Sequence, residues 1–378
     1  MLPAPIAEVL RRVQDNADYM PTSQRNSVLS SNLGPDFASL FTSFSEKPLA
    51  AASIGQVHRA TLPDGRQLAI KVQYPGVAQS IDADVDNVAT LLRVSGMLPA
   101  SLNLQPLLAE AKRQLAEEAD YVREGEQMTR YAALLAGDDR YVVPALEPAL
   151  TTSQVLAMSF VEGRPVEALA DEPQAARDAA VTTLVELVLR ELFAFGMMQT
   201  DPNFANYRWQ PGADGSRGRL VLLDFGAARP VAPTTREAYR ALVAAGLSGD
   251  RDAIRETAVA AGFLGADAAA KHRAAIDRMI AAVSAELDRP GPLDFGDRAF
   301  VPVLREESRP LLADRDSWHL PSIDTLFVQR KVSGTALLAA RLKARVDVRG
   351  LAARAIEIGV GQHQMAASAH HSPSNREI

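Results

Sequence analysis

The sequence predicts an α+β fold in two lobes, a small β-rich lobe with extra helices followed by a mainly helical one. Three observations lead there. A chain of 378 residues is too long for one small core. The stretch AAASIGQVHRATLPDGRQLAIKVQYPGV, residues 50–77, reads as strand, tight turn and strand. After VEGRP, where Gly163 and Pro165 break the pattern, apolar residues recur mostly at helical spacing.

In chain order, PIAEVLRRVQDNADY sets Ile6, Val9, Leu10 and Val13 at helical spacing, and DFASLFTSF predicts a second short helix with Asp36 as its N-cap. Leu62-Pro63-Asp64-Gly65 is a turn, because proline presets one central φ and glycine accepts a positive one. Helical patterns follow over 81–92 and 104–135, interrupted by Gly96 and Pro99. YVVPAL and QVLAMSF read as two more strands, with the lobe boundary near 158–164. AAVTTLVELVLRELFAFGMM is apolar on most faces and predicts a central helix. RLVLL, from Arg219, is a short buried strand that runs into Asp224-Phe225-Gly226. From 235 to about 360 the pattern is helical, and the polar end HQMAASAHHSPSNREI is expected to be disordered. The expected organisation is a helical segment over 1–46, a β-rich lobe over 47–160, a helical lobe over 161–361 and a tail over 362–378.

Composition narrows the function classes. A net charge of −6 gives no electrostatic case for nucleic acid. No apolar run approaches the roughly 18 residues of a membrane span, and the start has no basic segment followed by an apolar one. The absence of cysteine excludes disulfides, zinc–thiolate sites and thiol catalysis. The expected location is cytoplasmic, peripheral to a membrane at most.

Chemistry enters with phosphate. Holding a nucleotide takes backbone N–H groups, a cation, and a divalent metal on oxygen ligands. Residues 50–57 fit the kinase loop G-x-G-x-x-G-x-V, with Ala50 and Ala52 at the first two glycine positions and Gly55 and Val57 in register. Lys71 follows in LAIKV, like the V-A-I-K lysine that reaches the α- and β-phosphates. A lysine in such a site wants a carboxylate. Glu117, Asp120 and Glu124 share one helical stripe, and Glu124 is the favoured partner, the others reading as a solvated face. In MQTDPNFAN, Asn206 lies five residues after Asp201, the catalytic-loop spacing in which Asp orients the nucleophile and Asn binds metal. Asp224 of the D-F-G is the second metal ligand, and one Asp, one Asn and phosphates suffice for Mg²⁺.

On AAASIGQVH, KVQYPGVAQSI, EAD at 118–120, MQTDPNFAN and LLDFGA, the chain resembles the UbiB/ADCK atypical protein-kinase-like family, in its mitochondrial ubiquinone-biosynthesis branch. The likeness runs from about Ile6 to Leu351. It implies a bilobal protein-kinase-like fold that binds ATP or ADP with Mg²⁺. It further implies that Ala50, Ala51, Ala52 and Ser53 form an alanine-rich nucleotide loop, that Lys71 pairs with Glu124, and that Glu118 and Asp120 are the family's E-x-D motif. Met158, Ser159, Phe160 and Val161 become the hinge at the adenine, Asp201 the catalytic-loop aspartate, and Asn206 and Asp224 the metal ligands. One departure stands out. The family's K-x-G-Q helix is not spelled before Ala50, and no lysine precedes Lys47. A truncated start or a member without that helix are the two expectations, the second with a more open cleft.

Other clusters are set aside. Asp82, Asp84 and Asp86 lack the glycine and the closing glutamate of a calcium loop, Asn87 and Arg93 standing there instead. His363, His370 and His371 lie in the tail, Trp318 and His319 read as packing or capping, and Ser216 has no nucleophile elbow. Only AARPVAPTT separates Gly226 from the next helix and no A-P-E follows, which leaves little platform for a peptide substrate. Alanine for glycine in the loop also restricts how it folds over phosphates. The leading expectation is a Mg²⁺-dependent ATPase, or a small-molecule or lipid kinase, supporting ubiquinone biosynthesis. Quinone-biosynthesis enzymes, phenolic or lipid-like precursors and a membrane surface are its expected partners. A protein Ser/Thr kinase and a non-catalytic nucleotide-gated scaffold are the alternatives, and an aminoglycoside-type phosphotransferase a remote fourth.

Overall fold

A computed structural model describes residues 19–94, 105–212, 218–314 and 321–357. The helix expected around Ile6–Val13, the polar tail, Ser216, Trp318 and His319 lie outside them. The Leu62–Gly65 turn forms as expected, with the Gly65 amide donating to the Leu62 carbonyl at 2.9 Å and Gly65 at φ +85°. It joins the strands Gly55–Thr61 and Gln67–Gln73, which pair antiparallel with Val57 opposite Lys71. Strand Val155–Ser159 pairs on the far edge, Leu156 opposite Lys71, and Ala50–Ala52 folds back on Gly55–Val57. Leu68, Ile70, Val72, Val155 and Ala157 are buried in the core this sheet builds with Val28 and Leu29.

Val28 and Leu29 belong to a helix, Thr22–Leu33, that the sequence reading missed. Its apolar content is too small to show a period, and its third buried residue is Arg25, held on the carbonyls of Ser45 and Glu46. The helix expected in DFASLFTSF is a single 3₁₀ turn, Phe37–Leu40, without an Asp36 side-chain cap. Ser43–Phe44 pairs with Ala60–Thr61 instead. The helix expected over 104–135 is two, Gln105–Glu118 and Tyr121–Leu134. The break has a tertiary cause: Gln73 donates to the Ala119 carbonyl at 2.9 Å and the Tyr121 amide donates to the Ser153 carbonyl at 3.2 Å.

Two compact units result, one of residues 1–95, 111–130 and 144–161, the other of residues 96–110, 131–143 and 162–378. In the second, the expected central helix runs over Gln174–Arg190 and ends in a π-helical turn, Glu191–Phe195, at Gly196 with φ +62°. Met197 and Met198, expected as the end of that helix, lie in the strand Met197–Gln199, which pairs with Ala228–Pro230. A separate sheet holds Arg219–Leu222 between Tyr207–Gln210 and Tyr141–Val142. Helices then dominate from Pro233 through Arg341 and over 348–357.

Candidate nucleotide and metal site

The first unit holds a buried amine. Strand alternation turns Lys71 off the core face that holds Ile70 and Val72, and Lys71 remains 5% exposed. Its Nζ lies 2.6 Å from Glu124 Oε1, and Glu124 is 2% exposed. Two charges at that depth persist only as a pair with good geometry. The other two acids of the expected stripe, and Glu118 beside them, have different partners. Asp120 stands ahead of the helix Tyr121–Leu134, its Oδ1 accepting from the amides of Val122 and Arg123 at 3.0 and 3.3 Å, which is a cap. Glu117 pairs with Arg113 and Arg123, and Glu118 accepts from Gln114 at 3.2 Å.

Around the amine, Ala50–Ala52 is a short strand with Ala51 exposed, and Ser53 opens the turn back to Gly55. Gly55 is obligatory on steric grounds, since a Cβ there would lie 2.3 Å from the Val72 carbonyl oxygen. Val57 is half-buried beside it. On the opposite edge Met158 is buried, while the amide of Ser159 donates to Ala145 at 2.8 Å and that of Phe160 donates to Gln67 at 2.8 Å. The Phe160 ring stacks under the Arg59 guanidinium at 4.3 Å, and Val161 closes the unit.

The second unit holds the residues expected as oxygen ligands. Asp201 follows the strand Met197–Gln199, and Asn206 ends a 3₁₀ turn, Phe204–Asn206, nucleated by the Asn203 side chain capping the Ala205 amide at 3.1 Å. The turn brings Asn206 Nδ2 to donate to Asp201 Oδ2 at 2.7 Å. Strand pairing of Tyr207 with Leu222, and a 3.0 Å bond from the Leu223 amide to the Asn206 carbonyl, set Asp224 beside Asn206 along the two chains. Asp224 Oδ1 accepts from the Gly226 amide at 3.0 Å. Asn206, Asp224, Glu191, Gln199 and Tyr207 line one small cavity, so the expected ligands of this unit do come together.

Beneath them lies a cluster the sequence reading missed: Glu191, Lys331, Tyr207, Gln199 and Tyr131. A glutamate in VLRELFAF and a lysine in LFVQRKVSG, each amid apolar residues, were the available signals. Glu191 Oε1 accepts from the Tyr131 hydroxyl at 2.8 Å and from the Gln199 amide at 3.2 Å. Burial pushes the Glu191 carboxyl up, the Lys331 ammonium only partly opposing it. Burial would lower Lys331, yet the Glu191 carboxylate and the Tyr207 hydroxyl outweigh it and hold the ammonium above its usual value.

Residues 12–258 match the ABC1 atypical kinase-like domain. The chain is 36% identical over 351 residues to atypical kinase coq-8, mitochondrial, of Caenorhabditis elegans, across 93% of this chain and 46% of that protein. It is 35% identical over 350 residues to atypical kinase COQ8, mitochondrial, of Saccharomyces cerevisiae, across 92% of this chain and 68% of that one. The chain thus spans from about half to two thirds of the length of these relatives. A solved complex of Rv3197 with erythromycin from Mycobacterium tuberculosis superposes with a TM-score of 0.67 at 24% identity, over 93% of this chain and 87% of that one. That likeness is one of fold, and the fold expected from the motifs, α+β and kinase-like, is the one found.

Proposed function

The chain belongs to the ABC1 atypical kinase-like family, and on that premise we propose that it uses ATP with Mg²⁺, as an ATPase or a small-molecule or lipid phosphotransferase supporting ubiquinone biosynthesis. The observation that carries this reading is the bond from Asn206 Nδ2 to Asp201 Oδ2 at 2.7 Å. It commits the Asn206 amide nitrogen to Asp201, which leaves the amide oxygen as the atom to offer a cation, and Asn206 and Asp224 line the same cavity. One amide oxygen and one carboxylate suit a hard cation that keeps waters and phosphate oxygens as its other ligands.

When bound, Mg²⁺ neutralises charge on the transferring phosphoryl group. The rest falls to the protein. Lys71, held in place by Glu124, meets phosphate oxygens, and the turn from Ala50 through Ser53 to Gly55 supplies backbone N–H groups. The chain 158–161 faces the adenine, with the Ser159 and Phe160 amides already committed to its own unit. Asp201 orients the attacking water or hydroxyl and takes its proton. Its bond to Asn206 fixes the carboxylate for that role, a positioning gain of the kind that governs in-line transfer.

A feature of the second unit favours a small acceptor over a protein. Ala228–Pro230 pairs at once with Met197–Gln199, and the next helix starts at Pro233, seven residues after Gly226. Among the described residues that leaves only a short stretch after Gly226, with little room for a peptide to dock. Among the described residues no helix is long and apolar enough to cross a membrane. A peripheral setting and contact with quinone-biosynthesis enzymes belong to the same proposal, and the word mitochondrial in the relatives' names supports a mitochondrial-type setting. The test is phosphate release from ATP, with and without phenolic or lipid acceptors, by the wild type and Asp201→Asn. Loss of turnover in the variant supports the reading, and equal turnover refutes it.

A further inference from the structure

The helix Ile323–Arg341 meets the loop 200–206 and the residues that flank it at three positions, 330, 331 and 334. Gly334 packs so closely on Pro202 that a Cβ on it would lie 2.2 Å from the Pro202 Cβ. One turn earlier, buried Lys331 donates from Nζ to Gln199 Oε1 at 3.1 Å and to the Tyr207 hydroxyl. Beside it, Arg330 Nη2 approaches Asp201 Oδ1 at 3.8 Å.

The topology gives these contacts a purpose. Loop 200–206 leaves a strand that pairs with Ala228–Pro230 and enters one that pairs with Arg219–Leu222. Its two ends therefore belong to different sheets, and no strand pairing fixes their separation. Lys331 grips both ends at once, Gln199 before the loop and Tyr207 after it. Glu191 completes the fastening from below, its Oε2 3.7 Å from Lys331 Nζ and its Oε1 on the Gln199 amide. Through Tyr131, whose ring lies 5.1 Å from that of Phe225, the same cluster reaches the Asp224-Phe225-Gly226 turn.

We infer that the Arg330-Lys331-x-x-Gly334 face is the positioning element of the catalytic loop, with Lys331 setting the spacing of its two ends and Gly334 seating Pro202. The role assigned to the loop rests on Asp201 acting as proposed above. Lys331 itself touches no substrate. A competing role is simple neutralisation of Glu191, and a pair of variants separates the two.

The experiment compares full-length wild type, Lys331→Met, Lys331→Met with Glu191→Gln, and Gly334→Ala by amide hydrogen exchange and by ATP turnover. The double variant removes both buried charges, which keeps the fold testable if Lys331→Met alone unfolds, and Gly334→Ala alters no charge. The expected result is exchange at 200–206 raised about tenfold or more in each folded variant, with Gln174–Arg190 unchanged. Turnover should fall roughly tenfold to a hundredfold, as misplacement of a catalytic group predicts, while the Kd for ATP measured in chelator, where Asn206 holds no cation, stays within about twofold of wild type. Wild-type exchange at 200–206 in the double variant overturns the inference, as does a rise spread evenly through the unit. If wild type and Asp201→Asn turn over ATP equally, the catalytic reading fails, and loop exchange still decides whether Lys331 holds the loop.

Discussion

Lys71 Nζ and Glu124 Oε1 meet at 2.6 Å, and both side chains are almost wholly withdrawn from solvent. Removing one partner takes this close counter-charge from the other, and breaking a buried pair costs about 3–5 kcal/mol. Glu124→Leu and Lys71→Met should each lower the melting temperature. The double variant should regain most of that loss but bind no nucleotide. Calorimetry on the three proteins checks it, and a double variant that binds nucleotide like wild type removes Lys71 from the site.

The Gly55 position tests the alanine-rich turn. A Cβ 2.3 Å from the Val72 carbonyl cannot be accommodated without moving the strand Gln67–Gln73 that carries Lys71. Gly55→Ala should destabilise by about 1–3 kcal/mol, the usual scale of overpacking. Chemical denaturation measures it, with nucleotide affinity expected to fall in parallel.

His58 is fully buried, its Nδ1 on the Ser45 carbonyl at 2.8 Å and its Nε2 against Gln56 Nε2 at 2.8 Å. Gln56 Oε1 is committed to the Met20 amide at 3.1 Å, so its NH₂ faces the ring and Nε2 must accept. A second ring proton has no place. Burial lowers the His58 pKa below its ordinary 6.5, Ser45 opposing and Arg25 assisting. A group depressed on folding is protonated preferentially in the unfolded chain. Stability from this site is therefore complete above about pH 6.5 and declines as pH falls below it. Thermal melts from about pH 7.5 to 5.5 should show that decline, and His58→Gln should flatten it.

Asp138 is held at about 2, first by its hydrogen bonds to Arg140, with Arg190 adding to them. Its contribution is present above the unfolded carboxylate pKa near 4 and is lost as pH falls through about 2. Asp138→Asn should cost on the order of 1 kcal/mol at neutral pH once solvent screening is allowed for. That difference should vanish below about pH 2 in denaturant titrations.

The legible parts of the site were those written in short-range spacing. Asp201 and Asn206 sit five residues apart because one 3₁₀ turn joins them, and Lys71 sits on a strand whose partners flank a turn signature. The place of Asp120, expected inside one continuous helix, was not legible because the break at 119–120 goes with contacts to Gln73 and Ser153, neither a neighbour in sequence. The Lys331 cluster stayed hidden for the same reason, Lys331 and Gln199 being 132 residues apart. Gly334 carries no local signal, because its reason, contact with Pro202, exists only in three dimensions.

The central claim is that Asn206 and Asp224 place a divalent cation for a bound nucleotide. Its most direct measurement is ATP affinity by titration calorimetry, with Mg²⁺ and with chelator, for wild type and Asp224→Asn. Wild type should bind at least tenfold more tightly with Mg²⁺, about 1.4 kcal/mol, and Asp224→Asn should lose that gain while keeping the chelator-state affinity. The same Mg²⁺ enhancement in both proteins would contradict the account.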